Sequence, residues 1–237
     1  MARFVLLAPL KAEADALASA LGPGEAAGAL APPAALRRHG GVLCGWCGMG
    51  RAPAEAAVAA IAKTRPAALL FAGVAGALAP GLRCGDVVWL ESALAGEEEE
   101  RWEAPAPLAA ASSDWPRGSV LTVEALVGAP AQKRLLGESF AADLVDMETF
   151  WAARAARRAG LPFAAVRVVL DERDEELPDF SAGLDPVGRP RLLAFGRRLL
   201  RGPRDVLALP RLARSFGVAE RSLCAVARAV RAAIAES

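Results

Sequence analysis

A single histidine, His39, and four cysteines in 237 residues leave few ligands for a soft-metal site and few thiols for a disulfide framework. Cys44-Gly-Trp-Cys47 has the spacing of half a zinc site or of a redox pair, but no second ligand pair follows it. Two partly buried thiols in a reducing compartment are the simpler reading, and no metal or other cofactor is expected. Net charge is equally scarce: 28 Lys+Arg against 27 Asp+Glu leave +1. No global field therefore favours nucleic acid, and aromatics, at 5%, are too sparse to interleave with basic residues as RNA binding demands. Hydrophobic residues reach 54%, carried largely by Ala, yet Pro or Gly interrupts every apolar run before it is long enough to cross a bilayer. Met1 to Pro9 lacks a small-residue cleavage site and reads as a buried strand, which predicts a cytoplasmic protein. Internal repeats are absent. Gly73-Val-Ala-Gly76 lacks the full glycine spacing of a dinucleotide fingerprint, and close approach of backbone to a ligand explains it better.

What is present is an alternation of apolar strands and Ala-rich helices. Phe4 to Ala8 reads as a strand followed by a helix through Leu21. Gly41 to Trp46 is a strand that turns at Gly48-Met-Gly-Arg51 into a helix ending before Pro66. Ala67 to Val74 and Val87 to Leu90 are strands, Ser119 to Glu124 and Ala142 to Val145 two more, Met147 to Ala159 a helix, and Pro162 to Leu170 a strongly apolar strand. Ala93 to Arg117, with its Glu97 to Glu100 run and prolines, reads as a surface excursion suited to a substrate lid. The pattern predicts an α/β fold with a mostly parallel sheet. Beyond Pro190 the composition turns to Arg and Leu, with Pro203 and Pro210 as breaks, which predicts two or three short basic amphipathic helices. The chain thus divides into a domain over 1–189 and a basic helical extension over 190–237.

Three acids, Glu13, Glu148 and Asp171, each stand at or just past the end of an apolar segment, and open α/β sheets gather ligands at strand carboxyl ends. Taken alone, Glu13 is an ordinary surface helix residue, and Asp171 to Glu176 an ordinary solvated loop.

Gly73-Val-Ala-Gly76 through Gly85-Asp86, Val145-Asp-Met-Glu148 and Pro162 to Asp171 resemble the nucleoside phosphorylase family over roughly residues 3 to 175, and most of all its methylthioadenosine/S-adenosylhomocysteine nucleosidases. The resemblance implies a three-layer α/β/α fold around a mixed, mostly parallel sheet, a homodimer, and cleavage of the N-glycosidic bond of an adenine nucleoside. It gives Asp171 the role of acid toward N7 of the purine, Glu13 that of activating water, and Glu148 that of holding the ribose hydroxyls. Met147 would lie along the sugar, Gly73 and Val74 would approach the ligand, and Phe71, Leu126 and Val169 would wall the purine. The chemistry suits carboxylates, because bond breaking builds positive charge on the sugar and negative charge on the base. Phosphate-using relatives carry an arginine and a serine where this chain has Phe71 and Val74, so hydrolysis is favoured over phosphorolysis, with Lys11 and Arg51 as the residues left to recruit phosphate.

Leu199-Leu-Arg-Gly-Pro-Arg204 and Leu209-Pro-Arg-Leu-Ala-Arg214 resemble the hopanoid-associated phosphorylase branch, which implies adenosylhopane as substrate and ribosylhopane or phosphoribosylhopane as product. A lipid-linked substrate would give the basic tail a purpose in peripheral contact with the inner membrane; an exposed face or a subunit interface explains it as simply. The alternatives are a methylthioadenosine/S-adenosylhomocysteine nucleosidase with an unusual tail, and a nucleoside-binding sensor without turnover.

Overall fold

The computed structural model describes residues 4–29, 35–96, 100–104, 115–177 and 203–235. Its framework starts with the apolar strand β1 (Phe4–Ala8), which leads through a short turn into α1 (Lys11–Leu21). β2 (Glu25–Ala29), β3 (Ala35–His39) and β4 (Val42–Trp46) follow, then α2 (Arg51–Ala62) and the long strand β5 (Ala68–Ala77). β6 (Val87–Ala95), β7 (Arg101–Glu103) and β8 (Arg117–Thr122) precede α3 (Pro130–Phe140), β9 (Leu144–Asp146), α4 (Thr149–Arg158) and β10 (Phe163–Asp171). The last element is α5 (Pro203–Ala235).

All ten strands belong to one sheet, ordered β10-β6-β8-β9-β5-β1-β4-β3-β2, with β7 on the edge of β6. β10 also pairs with β5, so the first five strands of that order close into a ring from which β1, β4, β3 and β2 extend. The sheet is mixed: β1, β4, β5 and β10 run parallel, whereas β9 meets β5 and β6 meets β10 in antiparallel register. Alternation along each strand divides the core in two. Val5, Leu7, Leu69, Phe71, Phe163, Ala165 and Val169 pack with α2 and α4, while Leu6, Leu70, Ala72, Val166 and Val168 pack with α1 and α5. The result is three layers, α/β/α.

Three features differ from the sequence expectation. The β2–β3 hairpin and α3 went unread. The sole buried side chain of α3 is Lys133, Leu135 is 63% exposed, and the inward face beside Lys133 carries only the half-buried Leu136 and Phe140, so the apolar stripe is short and interrupted by charge. Within the 93–117 excursion, β6 runs on to Ala95, and Trp102 of β7 is buried edge-on against Phe163 at 5.3 Å; this part is core framework, while 97–99 and 105–114 of the expected lid lie outside the described residues. Finally, α5 is one helix that continues through Pro210. An interior proline costs about 3 kcal/mol, but Leu223, Val226 and Val230 beyond it are buried, and each such burial contributes about 1.5–3 kcal/mol. Packing therefore outweighs the break. Pro203, the other expected break, is the first residue of the helix, where its missing N–H costs nothing. Residues 190–202 lie outside the described ones.

Candidate active site

The site grows from the turn after β1. Glu13, in the first turn of α1, reaches back so that Oε2 accepts the Leu10 N–H at 2.7 Å, half of a capping box. Its other oxygen, Oε1, accepts the Val74 N–H at 2.8 Å. One buried carboxylate thus joins the start of α1 to the carboxyl half of β5. Burial raises the Glu13 pKa, while the Val74 N–H, the Arg167 guanidinium and the Leu10 N–H oppose the rise. Val74 contributes its backbone here, and its side chain packs on the opposite, α1-side face.

Opposite Gly73 in the parallel register stands Arg167, fully buried in mid-strand. A Cβ at Gly73 would collide with Arg167 Nη1 and stand 3.0 Å from Glu13 Oε1, so glycine is what lets guanidinium and carboxylate converge over the strand. Arg167 donates through Nε to Asp146 Oδ2 at 2.9 Å and to Thr149 Oγ1 at 3.0 Å, with Nη2 2.7 Å from the same Oδ2. Asp146 also accepts from the Thr122 hydroxyl at 2.6 Å and from the Thr149 hydroxyl and N–H. Phe71 lies beneath the guanidinium, 4.8 Å from ring centroid to Cζ. Arg167 Nη1 keeps no hydrogen-bond partner among the described residues.

Glu148 stands at the N-cap of α4 and accepts the Gly50 N–H at 2.8 Å, tying the start of α4 to the start of α2. Burial lifts its carboxyl to about 8, helped by the negative Asp146 and opposed by Arg167. A carboxyl that holds its proton near neutrality can both donate to and accept from a hydroxyl.

Asp171 closes β10. The register slips between Val169 and Asp171 where β10 pairs with β5, a bulge of the kind that re-aims a side chain at the end of a ladder. Asp171 is 2% exposed and forms an ion pair with Lys133 of α3, which is 0% exposed. Burial raises the carboxyl to about 6 against the downward pull of the Lys133 ammonium. Asp171 lines a narrow cavity with Gly76, Leu126, Val145, Asp146, Met147 and Leu177 among its walls.

The structure thus brings Glu13, Gly73, Glu148, Met147 and Asp171 to one end of the β5–β10 pair, with Leu126 beside them. Phe71 and Val169 are fully buried in the core packed against α2 and α4, Phe71 beneath the Arg167 guanidinium, and neither is among the residues that line the cavity beside Asp171. The apolar wall near Asp171 comes instead from Val123, Ala125, Leu126, Val127 and Leu177. Lys11 pairs with Asp15 at 2.6 Å, and Arg51 stacks on Trp151 at 4.3 Å. Arg167, Asp146 and Lys133 were missed; an Arg in the middle of the apolar run Ala164 to Leu170 was the available signal for the first of them, since an unpaired charge is not tolerated there. Cys44 and Cys47 are free and buried, their sulfurs turned to the carbonyls of Ala14 and Gly48, and burial pushes the Cys44 thiol up to about 12. Among the described residues, no three His, Cys, Asp or Glu side chains gather to hold a metal ion.

A model of the phosphorylase superfamily matches residues 26–115 and 103–200. A search of curated proteins finds no match. Among solved structures, a 5'-methylthioadenosine/S-adenosylhomocysteine nucleosidase from Helicobacter pylori, bound to butyl-thio-DADMe-Immucillin-A, aligns with a TM-score of 0.73 at 16% identity over 100% of this chain and 99% of its own. Futalosine hydrolase of Helicobacter pylori aligns at 0.72 and 16% identity, over 99% of this chain and 97% of its own. The Neisseria meningitidis methylthioadenosine/S-adenosylhomocysteine nucleosidase aligns at 0.69 and 16% identity, over 98% and 100%. At this identity, the likeness is one of fold.

Proposed function

Because the chain belongs to the phosphorylase superfamily, we propose that it cleaves the N-glycosidic bond of an adenine nucleoside and releases adenine, with water as the acceptor. The observation that carries this reading is the meeting of Glu13 Oε1 and the unpartnered Arg167 Nη1 over Gly73, a few residues of strand away from the buried acid Asp171. In this reading Asp171 donates to N7 as the base departs, Glu148 holds the ribose hydroxyls, Met147 lies along the sugar, and Glu13 takes the proton of a water that Arg167 helps to hold. Similar structures named as nucleosidases and a futalosine hydrolase support nucleoside cleavage as the reaction class.

Charge favours water over phosphate. Arg167 is already paired with Asp146, and Glu13 Oε1 stands beside its Nη1 over Gly73, so a phosphate dianion there would face these acidic groups with no second guanidinium to offset them. Adenine release at equal rates with and without added phosphate is the expected result; a strict phosphate requirement overturns this choice of acceptor.

For the 5' substituent we propose a hopanoid, with adenosylhopane as substrate, on the resemblance of the C-terminal runs, of which 199–202 lie outside the described residues. The tail's placement lends itself to this. The apolar side of α5 is buried against α1 and β10, while Arg214, Arg221 and Arg228 recur seven residues apart on its exposed side. Such a face suits electrostatic contact with an anionic membrane rather than insertion into it, and no described helix is long and apolar enough to span one. Replacing all three arginines by Glu is expected to abolish sedimentation with anionic vesicles at low salt while leaving turnover of a short adenine nucleoside intact; equal sedimentation of both proteins removes the membrane argument. A chromatographic assay of adenine released from adenosylhopane, methylthioadenosine and S-adenosylhomocysteine decides the substituent: turnover of the two small nucleosides alone favours the simpler nucleosidase, and binding without release from any of them favours a sensor.

A further inference from the structure

The acidic run Asp171 to Glu176 is clamped from three sides by surface ion pairs: Arg83 to Glu172 at 2.7 Å, Arg134 to Asp174 at 2.5 Å and Arg211 to Glu175 at 2.8 Å. Exposed pairs of this kind contribute little individually. Lys133 is of another kind. It is fully buried, and Nζ uses all three of its protons, on Asp171 Oδ2, on the Glu172 carbonyl at 2.9 Å and on the Glu175 carbonyl at 2.8 Å. Desolvating both charges of a buried pair offsets most of their attraction, so stability alone is a weak reason for a lysine here. The adjoining backbone is fastened too, since the Leu177 N–H donates to the Gly128 carbonyl at 3.0 Å, and a Cβ at Gly128 would stand 2.5 Å from the Leu177 carbonyl oxygen.

We propose that Lys133 is a positioning residue for Asp171: its ammonium occupies Oδ2 and ties down the chain at Glu172 and Glu175, leaving Oδ1 as the oxygen that meets the departing base. This rests on the proposed function. It assigns α3, whose only fully buried side chain is this lysine, the task of carrying one buried charge to the end of β10. It also sets the pH range of the acid. The groups around Asp171 are Lys133 on α3, Arg211 on α5, Cys84 and the Glu172-bound Arg83 in the loop before β6, Asp146 across the cavity, and Glu172 and Glu175 on its own segment. Burial and Glu175 push the carboxyl up, and Lys133, the largest opposing influence, holds it down.

The test is the pH profile of kcat/KM for adenine release, alongside the carbon-13 titration of the Asp171 carboxyl, assigned by its loss in Asp171→Asn. An opposite charge this close lowers a carboxyl by about 1–3 pH units, so Lys133→Met is expected to move the alkaline limb and the titration upward by that amount, with a lower kcat. Lys133→Arg is expected to return the limb toward that of the wild type by restoring charge. Lys133→Gln keeps a donor without the charge and carries the same expectation as Met should the latter fail to fold. A limb and titration unmoved in Lys133→Met or Lys133→Gln, with only the melting temperature reduced, overturns the proposal. Failure of the wild-type protein to release adenine from any nucleoside would instead strike the proposed function, because the carboxyl titration reads the influence of Lys133 without turnover.

Discussion

Asp171→Asn is expected to lower kcat for adenine release by about 10²–10⁴-fold, the range that a positioned general acid supplies, while the affinity for adenine changes little. The amide keeps the shape of the carboxyl and retains an oxygen for the Lys133 ammonium to donate to, but it cannot deliver a proton to a departing purine. The pH profile gives a second readout. With burial holding the carboxyl at about 6, the competent, protonated form is lost as pH rises through that value, so the wild-type kcat/KM falls on the alkaline side. In Asp171→Asn the fall through about 6 is absent, and any remaining alkaline fall lies higher, where the Glu148 carboxyl loses its proton at about 8. Wild-type turnover in the Asn variant, or a fall through about 6 that survives the substitution, removes Asp171 from the chemistry.

The order of strands and helices was legible because their signals are local. β1, β4, β5 and β10 are apolar runs, β1 stopped by Pro9 and β10 by the acid Asp171, and α2 and α4 are Ala-rich segments behind them. α3 was illegible for a physical reason: its one buried residue is a lysine whose value lies in a carboxylate 38 positions away, and no periodicity encodes such a partner. The β2–β3 hairpin was hidden likewise, since Ala35 to His39 alternates only weakly and buries just Leu36 and His39. Within the site, the acids at strand ends were visible as Glu13, Glu148 and Asp171. What holds them was not. Arg167 looked like one polar residue in an apolar strand until the register placed it opposite Gly73 and its guanidinium between Glu13 and Asp146. Phe71 and Val169, two residues before Gly73 and two after Arg167, lie on that same face of the sheet, where Phe71 underlies the guanidinium.

Glu13→Gln is expected to reduce kcat/KM by about 10²–10⁴-fold as well, through loss of the base that takes the proton of water. In Glu13 the two oxygens are divided, Oε2 on the Leu10 N–H and Oε1 on the Val74 N–H beside Arg167, so a single carboxylate both starts α1 and faces the space over Gly73. Its pKa is raised by burial, and it must be ionised to act; the wild-type rate therefore falls on the acid side as pH drops through the Glu13 pKa, and that limb vanishes in the amide variant. Glutamine has one oxygen and cannot accept both N–H groups, so one contact becomes donor against donor, at a cost of about 1–3 kcal/mol for an unsatisfied buried group. That cost appears as a lower melting temperature, and it separates from the catalytic loss because formate or azide, supplied as a small exogenous base, is expected to restore part of kcat without restoring stability. Rescue of turnover with an unchanged melting temperature identifies Glu13 as the proton acceptor; an acid limb that persists unmoved in Glu13→Gln removes Glu13 from that role.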